Sequence, residues 1–353
     1  MDFSDFLVDI GLFTLKLALA VFGVVMVIGA IANAARSGSS GPAGKLKAQR
    51  LDKRWRDYGR TLLRASNRKK ELKRLEKEDK ALEEARSKHP RPRVFVCRFD
   101  GNAQATGVAR LAEQVNAFVQ EGVSGDEVVI RLKSPGGLVY SYGHAASQLE
   151  RIRDAGLRLT VAVDEVAASG GYLMAAMAHQ ILAAPFAIVG SIGVIAQVPN
   201  VHRFLKKRDI DVELHTAGRY KRTLTFLGEN TDEGRAKFQA DLLRTHELFK
   251  SAVTKYRTTL DLEKVATGEY WYGSEALELG LIDRVSTSDA YLIERSVDAD
   301  IIAVGFAEKR GLVGRLMQDI SLRAGRGVER GLTRAADQAL TRAQQPGNST
   351  YLM

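Results

Sequence analysis

Residues 127–137 read EVVIRLKSPGG, a short apolar run that ends in a proline and two glycines. Such a run, with little polar alternation, is the pattern of a strand buried on both faces of a parallel sheet. The turn Ser134-Pro135-Gly136-Gly137 follows at its carboxyl end, the side of an open α/β sheet where ligands bind. Two glycines there let backbone N–H groups approach a carbonyl with no Cβ in the way. Taken alone, a PGG sequence reads first as a tight turn.

The pattern repeats on both sides of this stretch. VFVCRF (94–99) and LRLTVAV (157–163) are further apolar runs, and helical periodicity fills 106–121, 141–154 and 170–179. Alternation of strands and helices predicts an α/β domain with right-handed crossovers, expected over 94–300. A long helix is expected over 232–259, capped by Thr231 or Asp232, with WYGSEALELGLIDRV (271–285) after it. No repeat of 20 to 50 residues is visible.

Further toward the amino terminus the chemistry changes. Residues 11–32, GLFTLKLALAVFGVVMVIGAIA, carry one charge, Lys16, near an end where its stem can reach the interface. As a helix they are about 33 Å long, enough to cross a bilayer. The preceding MDFSDFLVD is acidic rather than basic, so an uncleaved anchor over 1–36 is expected, not a removed signal peptide. Asp2, Asp5 and Asp9 before the helix and Arg36, Lys45, Lys47 and Arg50 after it place the bulk of the chain in the cytoplasm by the positive-inside rule.

Residues 37–93 read as a basic linker, SGSSGPAG and then a charged helical stretch to about Ser87. Leu51, Trp55, Tyr58 and Leu62 give it one apolar stripe, and HPRPR ends it. The formal charge of the whole chain is +10, yet residues 36–93 alone hold 20 Lys/Arg against 8 Asp/Glu. The remainder is therefore close to neutral. Excess charge confined to a membrane flank points to lipid headgroups and away from nucleic acid. Residues 301–353 form a tail with apolar residues at helical spacing (Val313, Leu316, Ile320) among arginines, expected to lie on a membrane or a neighbouring subunit, with a disordered end. The single cysteine, Cys97, excludes an intrachain disulfide and a thiolate metal cluster.

Two more short sequences carry candidate chemistry. In ASGGY (168–172), Ser169 stands at a helix amino terminus, where the following N–H can serve as an oxyanion donor. Most such serines only cap a helix. Two glycines directly after the cap, however, cost a helix about 0.5–1 kcal/mol each relative to alanine, so they serve something else. In GRYKRT (218–223), Lys221 lies between Arg219 and Arg222, whose charges disfavour its protonation. An uncharged amine is what a serine needs as its base.

The ordered set SPGG, ASGGY, GSIGV and GRYKRT resembles the signal peptide peptidase A family of serine peptidases (S49). GRYKRTLTFLGENTDEGRAKF looks most like its SohB branch of bacterial inner-membrane peptidases. The resemblance covers residues 1 to about 290. It implies Ser169 as nucleophile, Lys221 as general base and Ser191 as the residue orienting the lysine. It also implies oxyanion or substrate contacts at Gly136, Gly137 and Gly170. The implied fold is the one shared with Clp proteases and enoyl-CoA hydratases, and the implied assembly is a homo-oligomer. Expected substrates are signal-peptide remnants or membrane-protein fragments, at the inner membrane, with a periplasmic face allowed by family analogy. No cofactor or metal is expected.

The histidines (His89, His144, His179, His202, His215 and His246) lie in no motif-like setting, and no HExxH is present. A Ser-Lys pair is then the hydrolytic arrangement left, and it requires both side chains to meet in one crevice. Two other readings stay open at this point. One is an acyl-CoA hydratase or isomerase, which calls for catalytic carboxylates in the loops. The other is a membrane scaffold with a vestigial site.

Overall fold

The computed structural model describes residues 44–307. Their framework is a seven-stranded sheet in the order β1-β10-β2-β3-β4-β6-β9. The strands are β1 (Leu46–Arg50), β2 (Arg93–Asp100), β3 (Glu127–Lys133), β4 (Arg158–Val163), β6 (Gln180–Ala183), β9 (Arg284–Val285) and β10 (Asp300–Phe306). Every pairing is parallel except that of β1 with β10. Alternation along β2 shows why the runs are apolar throughout. Phe95, Cys97 and Phe99 meet α3 (Val108–Glu121) and α4 (Val139–Asp154) through Leu111, Phe118 and Leu149. Val94 and Val96 meet Leu51 of α1 (Leu51–Ala65) and Tyr291 and Leu292 of α10 (Ser288–Arg295) on the other face.

A second sheet of three short strands, in the order β5-β7-β8, stands at the carboxyl end of the first. It comprises β5 (Val166–Ala168), β7 (Ile188–Gly190) and β8 (Tyr270–Tyr272). A bridge between Ser134 and Ala167 ties it to the end of β3. Helix α5 (Gly170–Ala176) leaves β5 through Ser169. The long helix α7 (Asp232–Thr254) starts at Thr231, whose hydroxyl accepts the Gly234 N–H at 3.1 Å.

The expected fold, that of Clp proteases and enoyl-CoA hydratases with a helical linker hung on it, is corrected. What the residues build is an α/β fold whose sheet begins inside the segment read as linker. β1 pairs with β10, while α1 and α2 (Lys69–Lys88) form a hairpin held to the sheet edge by ions. Asp52, buried at the start of α1, takes Arg50 at 2.5 Å, Arg86 at 2.9 Å and Arg56 at 3.1 Å. Burial alone would raise its pKa. The hydrogen bond and charge of Arg50, with the charges of Arg56 and Arg86, outweigh burial and hold it at about 2. Of the predicted stripe, Leu51 is buried while Tyr58 and Leu62 are exposed. Among the described residues no helix is long and apolar enough to cross a membrane. The tail expected from residue 301 is corrected at its start, since Asp300–Phe306 is β10, paired between β1 and β2. The anchor expected over 1–36 and the rest of the tail, beyond Ala307, lie outside the described residues.

Candidate active site

Ser169 occupies the one-residue joint between β5 and α5, with φ 52° and ψ −121°. A non-glycine residue in that region costs about 1–3 kcal/mol, and such strain gathers at functional positions. The surroundings over-determine it: the Ser169 N–H donates to the Gly190 carbonyl at 2.8 Å, and its own carbonyl accepts from Leu173 at 3.0 Å. The serine is thus turned out of the strand at the mouth of a cavity.

The glycines of the SPGG turn lie directly against this joint. Gly136 has φ +88°, and a Cβ there would stand 2.7 Å from the Ala168 carbonyl oxygen, 2.7 Å from Ser169 Cβ and 2.8 Å from the Gly170 nitrogen. Only glycine fits so close an approach. The pair after Ser169 is explained in the same way. A Cβ on Gly170 would meet Tyr142 Cβ at 2.7 Å, and one on Gly171 would meet the Ser134 carbonyl oxygen at 2.5 Å. As the first residue of α5, Gly170 has an N–H with no intrahelical acceptor. Gly137 N–H has no protein acceptor among the described residues.

Gly137, Ser169 and Gly170 line one cavity of about 210 Å³. Its other walls are apolar: Val139, Leu173, Val194 and Ile195, with Leu248 and Phe249 of α7. Ser191 stands one residue beyond the carbonyl that holds the Ser169 amide. It too has positive φ, 51°, and donates its hydroxyl to the Gly268 carbonyl at 3.2 Å.

Lys221 is not among the residues that line this cavity. Its loop packs on the first turn of α7, where Arg219 pairs with Glu233 at 2.7 Å and a Cβ on Gly234 would overlap the Thr223 carbonyl. The cavity meets the same helix at Thr245, Leu248, Phe249 and Ala252. From Gly234 to Thr245 the axis advances about 16 Å. The cavity and the GRYKRT loop thus meet α7 about three turns apart.

Cys97 and His179 are held in structural roles. Burial pushes the Cys97 thiol up to about 12, which leaves it inert. His179 accepts the Leu159 N–H at 3.0 Å, and burial, with nearby Arg153 and Arg158, lowers its pKa. Reading the sequence did not single out Tyr142 or the apolar walls from 194–195 and α7. The glycine pair at 170–171 was the signal that a bulky group packs close behind Ser169.

The model of peptidase family S49 matches residues 151–301, and that of the S49 N-terminal region matches residues 5–149. The chain belongs to peptidase family S49. Serine peptidase activity comes with that membership, and the α/β fold of the described residues is typical of this family. A probable protease SohB of Haemophilus influenzae is 41% identical over 324 residues, covering 88% of this chain and 92% of that protein. A probable protease SohB of Buchnera aphidicola subsp. Schlechtendalia chinensis is 52% identical over 204 residues, covering 58% and 67%. Among solved structures, a membrane-bound stomatin-specific protease in complex with a substrate peptide aligns with TM-score 0.43 at 14% identity, over 65% of this chain and 99% of that one.

Proposed function

We propose that the protein is a membrane-anchored endopeptidase in which Ser169 attacks a peptide carbonyl and Lys221 of a neighbouring copy takes its proton. The observation that carries this reading is the strained Ser169 joint at a cavity whose mouth holds two N–H groups without protein acceptors. Attack forms a bond from Ser169 Oγ to the carbonyl carbon. The developing oxyanion is held by the Gly137 N–H and that of Gly170, and the amine leaves with a proton from the lysine. Water then hydrolyses the acyl-enzyme with the same lysine as base. Ser191, beside the joint, orients the incoming amine.

The separation of cavity and GRYKRT loop along α7 and the apolar surface left uncovered support assembly from two copies. Ile195 is 92% exposed, and Phe204, Ile210, Leu214 and Phe226 of the 193–230 stretch are also exposed, as are Leu243 and Leu248 of α7. Apolar exposure on that scale marks an interaction surface. The apolar cavity suits an apolar side chain beside the scissile bond, as supplied by signal-peptide remnants or fragments of membrane proteins. The anchor and basic linker would keep the enzyme where such fragments arise, at the bacterial inner membrane.

The test is cleavage of casein and of a signal-peptide substrate by the full-length, detergent-solubilised protein beside Ser169→Ala. Cleavage by the first and none by the second is expected. Equal activity in both would discard the assignment.

A further inference from the structure

Beneath the Ser169 joint lies a polar pair for which the reaction as described has no use. Ser134 and Tyr142 are fully buried, and their hydroxyls lie 2.5 Å apart. Three glycines make room for them. A Cβ on Gly101 would stand 2.5 Å from both hydroxyl oxygens, and Gly170 and Gly171 pack on Tyr142 and Ser134 as described above. A chain that keeps three positions free of side chains around two hydroxyls is fixing a geometry.

The direction of each hydrogen bond follows from counting protons. Tyr142 has one, and it goes to the Asn102 carbonyl at 2.9 Å. In the short contact Ser134 must therefore donate, which leaves its lone pairs to accept the Gly136 N–H at 3.1 Å. The Ser134 backbone is tied to the strand that carries the nucleophile. Its N–H donates to the Val166 carbonyl at 2.8 Å, and its carbonyl accepts from Ala168 at 3.0 Å. One residue thus holds both the SPGG turn and the strand that ends at Ser169.

We propose that Ser134 and Tyr142 are positioning residues for the oxyanion site. Together they draw the Gly136 N–H inward, so that the Gly137 N–H, with that of Gly170, is the donor pair presented to the substrate oxygen. Neither hydroxyl touches substrate; both act through the Gly136 N–H, on the peptide between residues 135 and 136, and so set the direction of the Gly137 N–H that follows. The proposal rests on the peptidase reading above.

The experiment compares Tyr142→Phe, Ser134→Ala and the double variant with wild type in full-length, detergent-solubilised protein. Active sites are counted by complete fluorophosphonate labelling, and Ser169→Ala serves as blank. Per labelled site, kcat is expected to fall on the order of tenfold to a hundredfold, less than or equal to the loss of a whole oxyanion donor. KM is expected to stay unchanged, and the double variant to be no worse than the more impaired single one, as for groups acting as one unit. An unchanged kcat per site, a change confined to KM, or losses that multiply in the double variant would overturn the proposal. If Ser134→Ala does not fold, Tyr142→Phe, which removes one oxygen, decides alone on kcat and KM. Wild-type protein without activity would instead sink the peptidase reading itself.

Discussion

Replacing Gly171 by alanine sets two physical expectations against each other. Helix propensity alone says that alanine in α5 stabilises by about 0.5–1 kcal/mol. The packing says the opposite, because the new Cβ would stand 2.5 Å from the Ser134 carbonyl oxygen, 3.0 Å from its Cβ and 3.2 Å from its Oγ. The carbonyl is backbone and bonded to Ala168 N–H, so it cannot swing away. Relief requires shifting β5 or α5, and overpacking of that kind costs about 1–3 kcal/mol. The net effect is a loss of about 1–2 kcal/mol. For a domain of this size that is a fall of roughly 2–8 °C in apparent Tm. Gly143 in α4 is the internal control, since a Cβ there meets nothing within 4 Å. Gly143→Ala should gain what propensity offers, about 0.5–1 kcal/mol. Thermal scans of both variants by tryptophan fluorescence are expected to move in opposite directions. A Gly171→Ala protein as stable as wild type or more so would refute the close-packing account of the glycine pair.

Three further outcomes are expected. Ser169→Gly should remove activity yet raise stability by about 1 kcal/mol, because glycine adopts φ 52° without strain; a lower Tm would contradict the strain. Co-expressed Ser169→Ala and Lys221→Ala chains, each inactive alone, should recover about a quarter of wild-type activity by random mixing in a closed ring. No recovery would return the dyad to a single chain. The Asp52 cluster should contribute stability fully above about pH 4 and lose it as the pH falls toward about 2, since its folded pKa lies below the unfolded value. Asp52→Asn should flatten that part of the acid-denaturation profile, and an unchanged profile would place the acid sensitivity elsewhere.

Much of the fold could be read from periodicity. The runs at 94–99, 127–132 and 157–163 are strands because side chains on both faces meet apolar helices, which makes the pattern continuous. The cap at Thr231 was legible because its hydroxyl has a local partner. β1 was not. LKAQR (46–50) has four exposed residues and sits at the sheet edge, where pairing needs only backbone groups. The three-stranded sheet was missed for a similar reason, as strands of three residues carry too few positions to show a period. At the site, motif order singled out Ser169, Gly137 and Gly170, which line one cavity, and Gly136, which lies against the Ser169 joint. The placement of Lys221 was not legible, because nothing in GRYKRT records that its loop docks on the far turn of α7.

The nucleophile can be observed directly. Full-length protein in detergent is reacted with a fluorophosphonate, digested and mapped by mass spectrometry while peptidase activity is followed in parallel. One adduct is expected, on Ser169, appearing at the rate at which activity disappears. Inactivation with the adduct on a different serine, or full activity with Ser169 completely labelled, would contradict the account at its root.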